Sequence, residues 1–430
     1  MVRNIVILGG NSHPAFVSKV CEFLGVPPAQ RVLTKFSSGE TRCEIQDSVR
    51  GKDVYIIQSF GSANDTPFAN GVNDFFIELC IMVSACKMGS AKRVTAVLPI
   101  FPYSRQPDLP YVRAGAPRRG VQQGSVDEHG SVNGVASAAG SVNGGTDTVP
   151  ATPGPNIPRT DGLDTMLDSA TLAGAEGTTT SQTTTTRYTT HDYENASLAV
   201  ALQSKSHYKQ WSAQAGSLVA DLLTCSGADR VVTCDLHESS YQGFFDIPVD
   251  NLFGRKLLQQ YIRLNIENWR DAVIVSPDAG GAKRATAIAD NLGMPFALIH
   301  KERRTTNFTE RQKATMMLVG DVSERVCILI DDLIDTGNTI IRAAKLLKKE
   351  GAVKVYALLT HGIFSGDALA RINASAVDRV VVTNTVAQDR HLAALCPKLE
   401  VLDISTLFAE AIRRVHHGES ISVLFRDELV

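Results

Sequence analysis

Residues 326–339 read VCILIDDLIDTGNT and run directly into the sequence IIRAAKLLKKEGA. The apolar run ends at Asp331 and Asp332, a turn containing Gly337 follows, and from near Thr339 the apolar residues have the spacing of an amphipathic helix. A buried strand joined to a helix by a short loop is typical of parallel α/β folds, in which ligands bind beyond the carboxyl ends of the strands. This stretch therefore predicts both the fold class and the place of the chemistry.

The loop between this strand and helix has the features of a phosphate site. Backbone NH groups of residues 335–339, the hydroxyls of Thr336 and Thr339, and the positive end of the helix dipole converge there. The neighbouring carboxylates repel an anion, and they suit sugar hydroxyls or Mg²⁺ instead. The combination predicts a sugar phosphate, and the alternative is an ordinary acidic loop capped by Thr339. The candidate residues are Asp331, Asp332, Asp335, Thr336, Gly337, Asn338 and Thr339.

A second strand-to-helix turn occurs in residues 273–285, VIVSPDAGGAKRA. Two adjacent glycines allow a backbone to approach an anion closely, and the motif lacks the spacing of a Walker A loop. One such turn is weak evidence, whereas two in the same half of the chain predict a ligand with phosphate at both ends. The candidate residues are Asp278, Gly280, Gly281 and Lys283.

The rest of the chain has a regular alternation of short β-branched runs and amphipathic segments. Ten such runs predict two α/β domains with parallel sheets covered on both faces. We place the first domain at 1–106 and 211–255 and the second at 256–404, and residues 405–430 are a candidate for packing back on the first. Residues 107–210 are rich in Gly, Ser, Thr and Pro and repeat GSVNG, so we expect a disordered insertion, either tolerated or used to dock a partner.

Composition excludes several classes of function. The 430 residues contain 43 Lys and Arg against 45 Asp and Glu, so no basic field favours nucleic acid or an anionic membrane. The eight cysteines are scattered without a C-x-x-C pair, as expected for thiols in a reducing compartment. No apolar run reaches the length of a signal sequence or of a membrane span. We expect a cytoplasmic protein that acts on small molecules.

Two further segments carry candidate charges. Residues 233–250, TCDLHESSYQGFFDIPVD, contain an oxygen-rich set that suits Mg²⁺ better than Zn²⁺, although His237 could equally be an ordinary satisfied histidine. We expect Asp235 and His237 to alternate at a strand end and face the same side. Residues 299–304, IHKERR, are either a solvated charged face or a mobile cationic loop that closes over phosphates.

On these motifs, together with KFSSGETRCEI (35–45) and PIFPYSRQ (99–106), the chain resembles the ribose-phosphate pyrophosphokinases over nearly all residues outside the insertion. A polar insertion after Arg105 and Gln106 resembles the larger fungal subunits. The resemblance implies two phosphoribosyltransferase-type domains and transfer of pyrophosphate from ATP to ribose 5-phosphate with Mg²⁺, in a homo- or hetero-oligomer, for nucleotide biosynthesis. It implies catalysis by Lys301 and Arg303, ATP contacts by Phe36, Glu40, Arg105 and Gln106, metal binding by Asp235, His237, Asp246 and Asp250, and regulatory phosphate at Ser48, Arg50, Ser420 and Ser422.

Some of the segments that the resemblance assigns to nucleotide binding depart from the family pattern. Gln106 is followed by Pro107 instead of an acidic and basic run, residues 211–217 read WSAQAGS without the usual arginine, and Ser38 and Gly39 replace a longer polar pair. The sequence favours an active synthetase. The alternatives are a non-catalytic regulatory subunit of a hetero-oligomer and a simple phosphoribosyltransferase, which would leave Arg105 and Lys301 without a role.

Overall fold

The computed structural model describes residues 4–61, 71–105, 215–302, 315–393 and 396–425. The predicted insertion at 107–210 lies outside these ranges. The described strands form a five-stranded sheet, a seven-stranded sheet and a separate two-stranded hairpin.

The first sheet has the order β1-β4-β5-β6-β7, and all of its neighbouring strands are parallel. Its strands are β1 (Ile5–Gly9), β4 (Asp53–Ile57), β5 (Arg93–Leu98), β6 (Arg230–Cys234) and β7 (Val249–Leu252). The antiparallel hairpin consists of β2 (Arg31–Lys35) and β3 (Thr41–Ile45).

The second sheet has the order β10-β9-β8-β11-β12-β13-β14. Its neighbours are parallel except β9 and β10, which are antiparallel. The strands are β8 (Val273–Ser276), β9 (Phe296–Glu302), β10 (Thr315–Val319), β11 (Val326–Ile334), β12 (Lys354–Gly362), β13 (Arg379–Thr383) and β14 (Leu399–Leu402). Because β9 and β11 lie on opposite sides of β8, the strand order reverses between β8 and β11.

Helices cover both faces of each sheet because successive strand residues are apolar on both sides. In β1, for example, Val6 and Leu8 enter one core while Ile7 enters the other. The helices are α1 (Pro14–Leu24), α2 (Val72–Met88), α3 (Ala215–Cys225), α4 (Arg255–Asn265), α5 (Ala282–Leu292), α6 (Asn338–Lys349), α7 (Ala368–Asn373), α8 (Asp389–Ala393) and α9 (Ser405–His417). None of these helices in the described ranges is long and apolar enough to cross a bilayer.

The buried apolar side chains form four cores, and their members show which helix covers which face of each sheet. Helices α2 and α3 cover one face of the first sheet, and α1 and α9 cover the other, where Phe16 meets Phe408 edge-on with ring centroids 5.4 Å apart. Helices α6 and α7 cover one face of the second sheet and α4 and α5 the other. The last α-helix within the described ranges therefore packs on the first sheet.

The expectation of an α/β fold with parallel sheets is confirmed. All ten predicted strands are present, while β2, β3, β7 and β10 were not predicted. The antiparallel β10 lies at the sheet edge, where a reversed strand is common. The hairpin strands RVLTK and TRCEI are largely polar and half exposed, so they lack the apolar run that marked the other strands.

Candidate active site

The two predicted anion turns lie at the point where the strand order of the second sheet reverses. One follows β8 and contains Asp278, and the other follows β11, whose end carries Asp331 and Asp332. In open α/β sheets, ligands bind beyond the carboxyl ends of the strands at such a reversal, because the two loops diverge to opposite faces and leave a crevice. The topology thus supports the location that the sequence predicted.

The two β11 carboxylates belong to a charged cluster that joins both sheets. His237, which follows β6 in the first sheet, lies with Nδ1 2.6 Å from Oδ2 of Asp332. Arg284, in the first turn of α5, lies with a guanidinium nitrogen 3.3 Å from Asp332 and 3.7 Å from Asp331. Asp332 is 2% exposed, so its charge is compensated by neighbours rather than by water.

The two carboxyl groups have opposite pKa shifts. Burial, followed by the charges of Asp332 and Asp278, raises the pKa of Asp331 well above its ordinary value. Burial acts in the same direction on Asp332, but the hydrogen bond from His237 and the charge of Arg284 hold the pKa of Asp332 below its ordinary value. One member of the pair therefore retains a proton more readily than the other. Such a pair can both donate to and accept from the adjacent hydroxyls of a sugar.

The loop after β11 has the geometry of an anion site. Gly337 has φ 76°, a left-handed conformation that costs other residues energy, and α6 begins immediately after it at Asn338. The NH groups in the first turn of any helix lack acceptors within that helix, so those of α6 are available to an anion. Thr336 is half-buried and Thr339 is exposed at this end of the helix.

The negative charge of Asp335, in the same loop, is compensated by Arg105, which follows β5 of the first sheet. Its Oδ2 lies 2.6 Å from a guanidinium nitrogen of Arg105, and its Oδ1 accepts a 3.3 Å hydrogen bond from the NH of Ser365. The Asp335 side chain is only 5% exposed. Because Arg105 offsets this negative charge, the carboxylate opposes an incoming phosphate less than the sequence alone suggests.

The turn after β8 is held by its own carboxylate. Oδ1 of Asp278 accepts a 2.9 Å hydrogen bond from the NH of Gly281, and Ser276 Oγ donates to the Asp278 carbonyl at 2.7 Å. A Cβ on Gly281 would lie 3.2 Å from Ser276 Oγ and 3.5 Å from Asp331 Oδ1, so the glycine lets the two turns approach each other. Gly280 and Lys283 are exposed at the mouth of the turn.

The structure does not assemble the four predicted metal ligands. His237 contacts Asp332, Asp250 pairs with Arg230, and Asp246 is exposed. Asp235 is 6% exposed, and its Oδ2 accepts from the NH of Gly254 and the hydroxyl of Thr360. No group of three or more His, Cys, Asp or Glu side chains in the described ranges is arranged to hold a metal ion. These residues therefore do not fit one protein-held Mg²⁺ site.

The expected alternation of Asp235 and His237 fails for a local reason. Strand β6 ends at Cys234, and Asp235 has φ 40°, so the chain leaves the extended conformation before it reaches His237. Side chains alternate between faces only while the backbone stays extended. As a result, Asp235 is buried between the sheets, whereas the His237 side chain is 44% exposed.

Comparison with known proteins agrees with this geometry. The profile of the "N-terminal domain of ribose phosphate pyrophosphokinase" matches residues 5–114, and that of the "Phosphoribosyl synthetase-associated domain" matches residues 305–426. Ribose-phosphate pyrophosphokinase 5 of Schizosaccharomyces pombe is 44% identical over 426 residues, covering 99% of this chain and 98% of the relative. The chain belongs to the ribose-phosphate pyrophosphokinase family.

A solved structure of a family member supports the fold. The phosphoribosylpyrophosphate synthetase of Mycobacterium smegmatis superposes with a TM-score of 0.66 at 29% identity. The match covers 97% of this chain and all of that one. The family assignment made from sequence motifs is thereby confirmed.

The residues that the resemblance assigns to catalysis and to ATP contacts are only partly described. Lys301 lies in β9, where its backbone is opposite Met316 of β10, and its side chain, Arg303 and Gln106 lie outside the described residues. Phe36 is 52% exposed at the turn of the β2–β3 hairpin, where its NH donates to the carbonyl of Glu40. Arg105, predicted to contact ATP, pairs with Asp335 in the loop after β11.

The four residues predicted for regulatory phosphate form two separate pairs within the chain. Ser48 and Arg50 are exposed between β3 and β4. Ser420 and Ser422 follow α9, with their hydroxyl oxygens 2.8 Å apart. No hydrogen bond links the two pairs in the part of the chain that the structure describes, and their regulatory role stays a prediction.

Arg284 is the main site residue that sequence reasoning did not select. The motif AGGAKRA drew attention to Lys283, which the structure leaves exposed, while the next residue contacts both β11 carboxylates. The missed signal is its position: a cation in the first turn of a helix opposes the helix dipole and needs a nearby anion to compensate.

Proposed function

We propose that the chain transfers the pyrophosphoryl group of ATP to the 1-hydroxyl of ribose 5-phosphate, giving 5-phosphoribosyl 1-pyrophosphate and AMP. The observation that carries the proposal is the meeting of two anion turns at the β8–β11 reversal with Asp331 between them. Such a site suits a pentose with phosphate at one end and a pyrophosphoryl group at the other. Family membership supports synthesis of this product.

In this proposal, the loop 335–339 binds the 5-phosphate through the first-turn NH groups of α6 and the hydroxyls of Thr336 and Thr339. The ribose hydroxyls contact Asp331 and Asp332, whose unequal proton affinities suit adjacent donors and acceptors. The sugar's first carbon then points toward the turn of Asp278 and Gly281. The half-buried Arg284 compensates the carboxylates and keeps them from repelling the polyphosphate.

The chemistry requires little covalent assistance. The 1-hydroxyl oxygen forms a bond to the β-phosphorus, the bond from that phosphorus to the oxygen bridging the α-phosphate breaks, and AMP leaves while the hydroxyl proton passes to solvent or a base. In-line placement and charge neutralisation dominate such reactions. Lys301 and Arg303 are proposed to neutralise the charge that develops around the β-phosphorus.

Mg²⁺ is proposed as the companion of ATP rather than as an ion held by the predicted four residues. Mg²⁺ commonly keeps several waters and binds through substrate phosphates with few protein ligands. An oligomer of paralogous subunits, ATP contacts near Phe36 and Arg105, and a cytoplasmic location belong to the same proposal. The eight free thiols, five of them buried, support a reducing compartment.

The test is formation of AMP from ATP and ribose 5-phosphate by the purified full chain, assayed alone and with a paralogous subunit that lacks the insertion. We expect AMP and the pyrophosphorylated sugar in equal amounts, and loss of both in Asp331→Asn and Lys301→Ala. The chain would instead be a regulatory subunit if it folds, forms no AMP alone, and changes AMP formation by the paralogous subunit to the same extent with and without these substitutions. Formation of ADP would contradict the proposed reaction.

A further inference from the structure

The two sheets are joined by a buried polar contact that the proposed reaction does not use. We call it the junction bracket, and it consists of Asp235, Gly254, Thr360, His361 and Thr385. Asp235 follows β6 of the first sheet, whereas Thr360 and His361 are consecutive residues of β12 in the second. Except for Gly254, the side chains of these residues are at most 6% exposed.

Asp235 is the acceptor at the centre of the junction bracket. Its Oδ2 accepts a 2.9 Å hydrogen bond from the NH of Gly254 and a 2.6 Å hydrogen bond from the hydroxyl of Thr360. Two donors satisfy that oxygen, and the residue is only 6% exposed, so a hydrated Mg²⁺ ion has little access to the carboxylate. Any residue larger than glycine at 254 would place its Cβ 3.1 Å from this oxygen and 3.2 Å from the Thr360 hydroxyl.

His361 makes the second connection between the sheets. Its Nε2 lies 3.1 Å from the carbonyl oxygen of Cys234, which can only accept, so Nε2 carries the proton. Its Nδ1 then accepts from the hydroxyl of Thr385 at 2.9 Å. The Thr385 carbonyl in turn accepts a 2.7 Å hydrogen bond from the hydroxyl of Ser59, two residues after β4. Two consecutive residues of β12 therefore bind the end of β6, Thr360 through the side chain of Asp235 and His361 through the carbonyl of Cys234.

The junction bracket affects the active site because Asp235 is close in sequence to His237. His237 is two residues beyond Asp235, and it reaches from the first sheet to Asp332 in the second. The left-handed conformation of Asp235 sets the direction of the chain between them, and aspartate and asparagine tolerate that conformation better than most residues. We propose that Asp235 is a positioning residue that holds the end of β6 against β12 so that His237 meets Asp332, and that it is not a metal ligand.

The reaction that this arrangement serves rests on the function proposed above, whereas the junction bracket is testable without any turnover. The experiment is thermal unfolding of the full chain in EDTA and again with excess Mg²⁺. The variants are Asp235→Ala, which removes the acceptor, Asp235→Asn, which keeps an acceptor oxygen but is a poor metal ligand, and Thr360→Val, which removes only the hydroxyl donor. Asp246→Asn is the matched control, because Asp246 is exposed and was predicted for the same ion.

In EDTA we expect Asp235→Ala to lower Tm by about 5 °C and Thr360→Val by about 3 °C, because each substitution leaves buried polar groups without a hydrogen-bond partner. Asp235→Asn should recover at least half of the alanine loss, and Asp246→Asn should not differ from wild type. Added Mg²⁺ should leave these differences unchanged. If Asp235→Ala does not fold, the asparagine and Thr360 variants still decide the matter.

Three results would overturn the proposal. One is an Asp235→Ala chain as stable as wild type in EDTA, as expected if the carboxylate merely awaited a cation. Another is an asparagine variant that loses as much as alanine. The third is a stabilisation by Mg²⁺ in wild type that disappears in Asp235→Asn. An inactive wild-type chain that nevertheless shows the expected pattern would count against the proposed reaction and not against the junction bracket.

Discussion

The hydrogen bond between His237 and Asp332 predicts a stability that depends on pH. This bond raises the pKa of His237 above its ordinary value of 6.5. A group whose pKa is raised on folding binds its proton more tightly in the folded state. Its contribution to stability is therefore complete below the unfolded pKa and is lost as the pH rises through the folded pKa. His237→Gln should cost stability in acid and little in alkali.

The size of the effect follows from the geometry. A hydrogen bond to a charged group is worth about 1.5 to 3 kcal/mol, and the 44% exposure of the His237 side chain reduces this to about 1 kcal/mol. For a cooperatively unfolding domain of about 150 to 250 residues, that free energy corresponds to a Tm shift of about 2 to 4 °C. Asp332 stays ionised near pH 5.5, because its own pKa is held below its ordinary value.

The assay compares thermal unfolding of wild type and His237→Gln near pH 5.5 and near pH 9. We expect a Tm lower by about 2 to 4 °C at the acidic pH and a difference close to zero at the alkaline pH. His300→Gln is the control, because it makes the same substitution at an exposed position of β9 outside the contact with Asp332. A His237→Gln difference that is constant with pH, or larger in alkali, would refute this reasoning.

Three other substitutions test separate parts of the site. Arg105→Ala leaves the buried Asp335 carboxylate without this guanidinium and should lower the free energy of unfolding in denaturant by about 2 to 4 kcal/mol. Adding Asp335→Asn should recover most of this loss, and independent effects of the two changes would contradict the pairing. Gly337→Ala should cost about 1 to 2 kcal/mol, because at φ 76° the penalty is conformational while the added Cβ meets only ordinary contacts at 3.5 Å, and Gly337→Asn should cost less; equal stability of all three chains would argue against the left-handed turn. Lys301→Ala should keep its Tm and its affinity for ribose 5-phosphate in calorimetry but lose at least about 100-fold in turnover; unchanged turnover would remove Lys301 from the mechanism.

The predictable part of the fold is the part dictated by local apolar pattern. The amphipathic segment at 72–88 forms helix α2 and the β-branched run at 230–234 forms β6, each with the bounds of its apolar pattern. Strand β11 was predicted to end at Ile330 but continues to Ile334, because its pairing with β12 extends to Gly362. Asp331 and Asp332 thus lie within the strand rather than beyond it. Pairing between strands far apart in sequence is not readable from one of them.

Several contacts of the site escaped prediction because they join residues of the two sheets. Asp235 and Thr360 are separated by 125 positions, and Arg105 and Asp335 by 230, so no spacing rule connects them. The alternation argument for Asp235 also failed because a left-handed residue interrupted the strand. In contrast, the anion turns were predictable, since glycines, a strand and a helix start are all local features.

The most direct measurement of the central claim is calorimetric titration of the full chain with ribose 5-phosphate and, separately, with ribose. If the loop 335–339 anchors the 5-phosphate while Asp331 and Asp332 hold the sugar, the phosphorylated pentose should bind at one site per chain. Ribose at the same concentration should give no measurable heat, because it lacks the charge-assisted hydrogen bonds. Equal heats from both sugars, or none from either, would contradict the account.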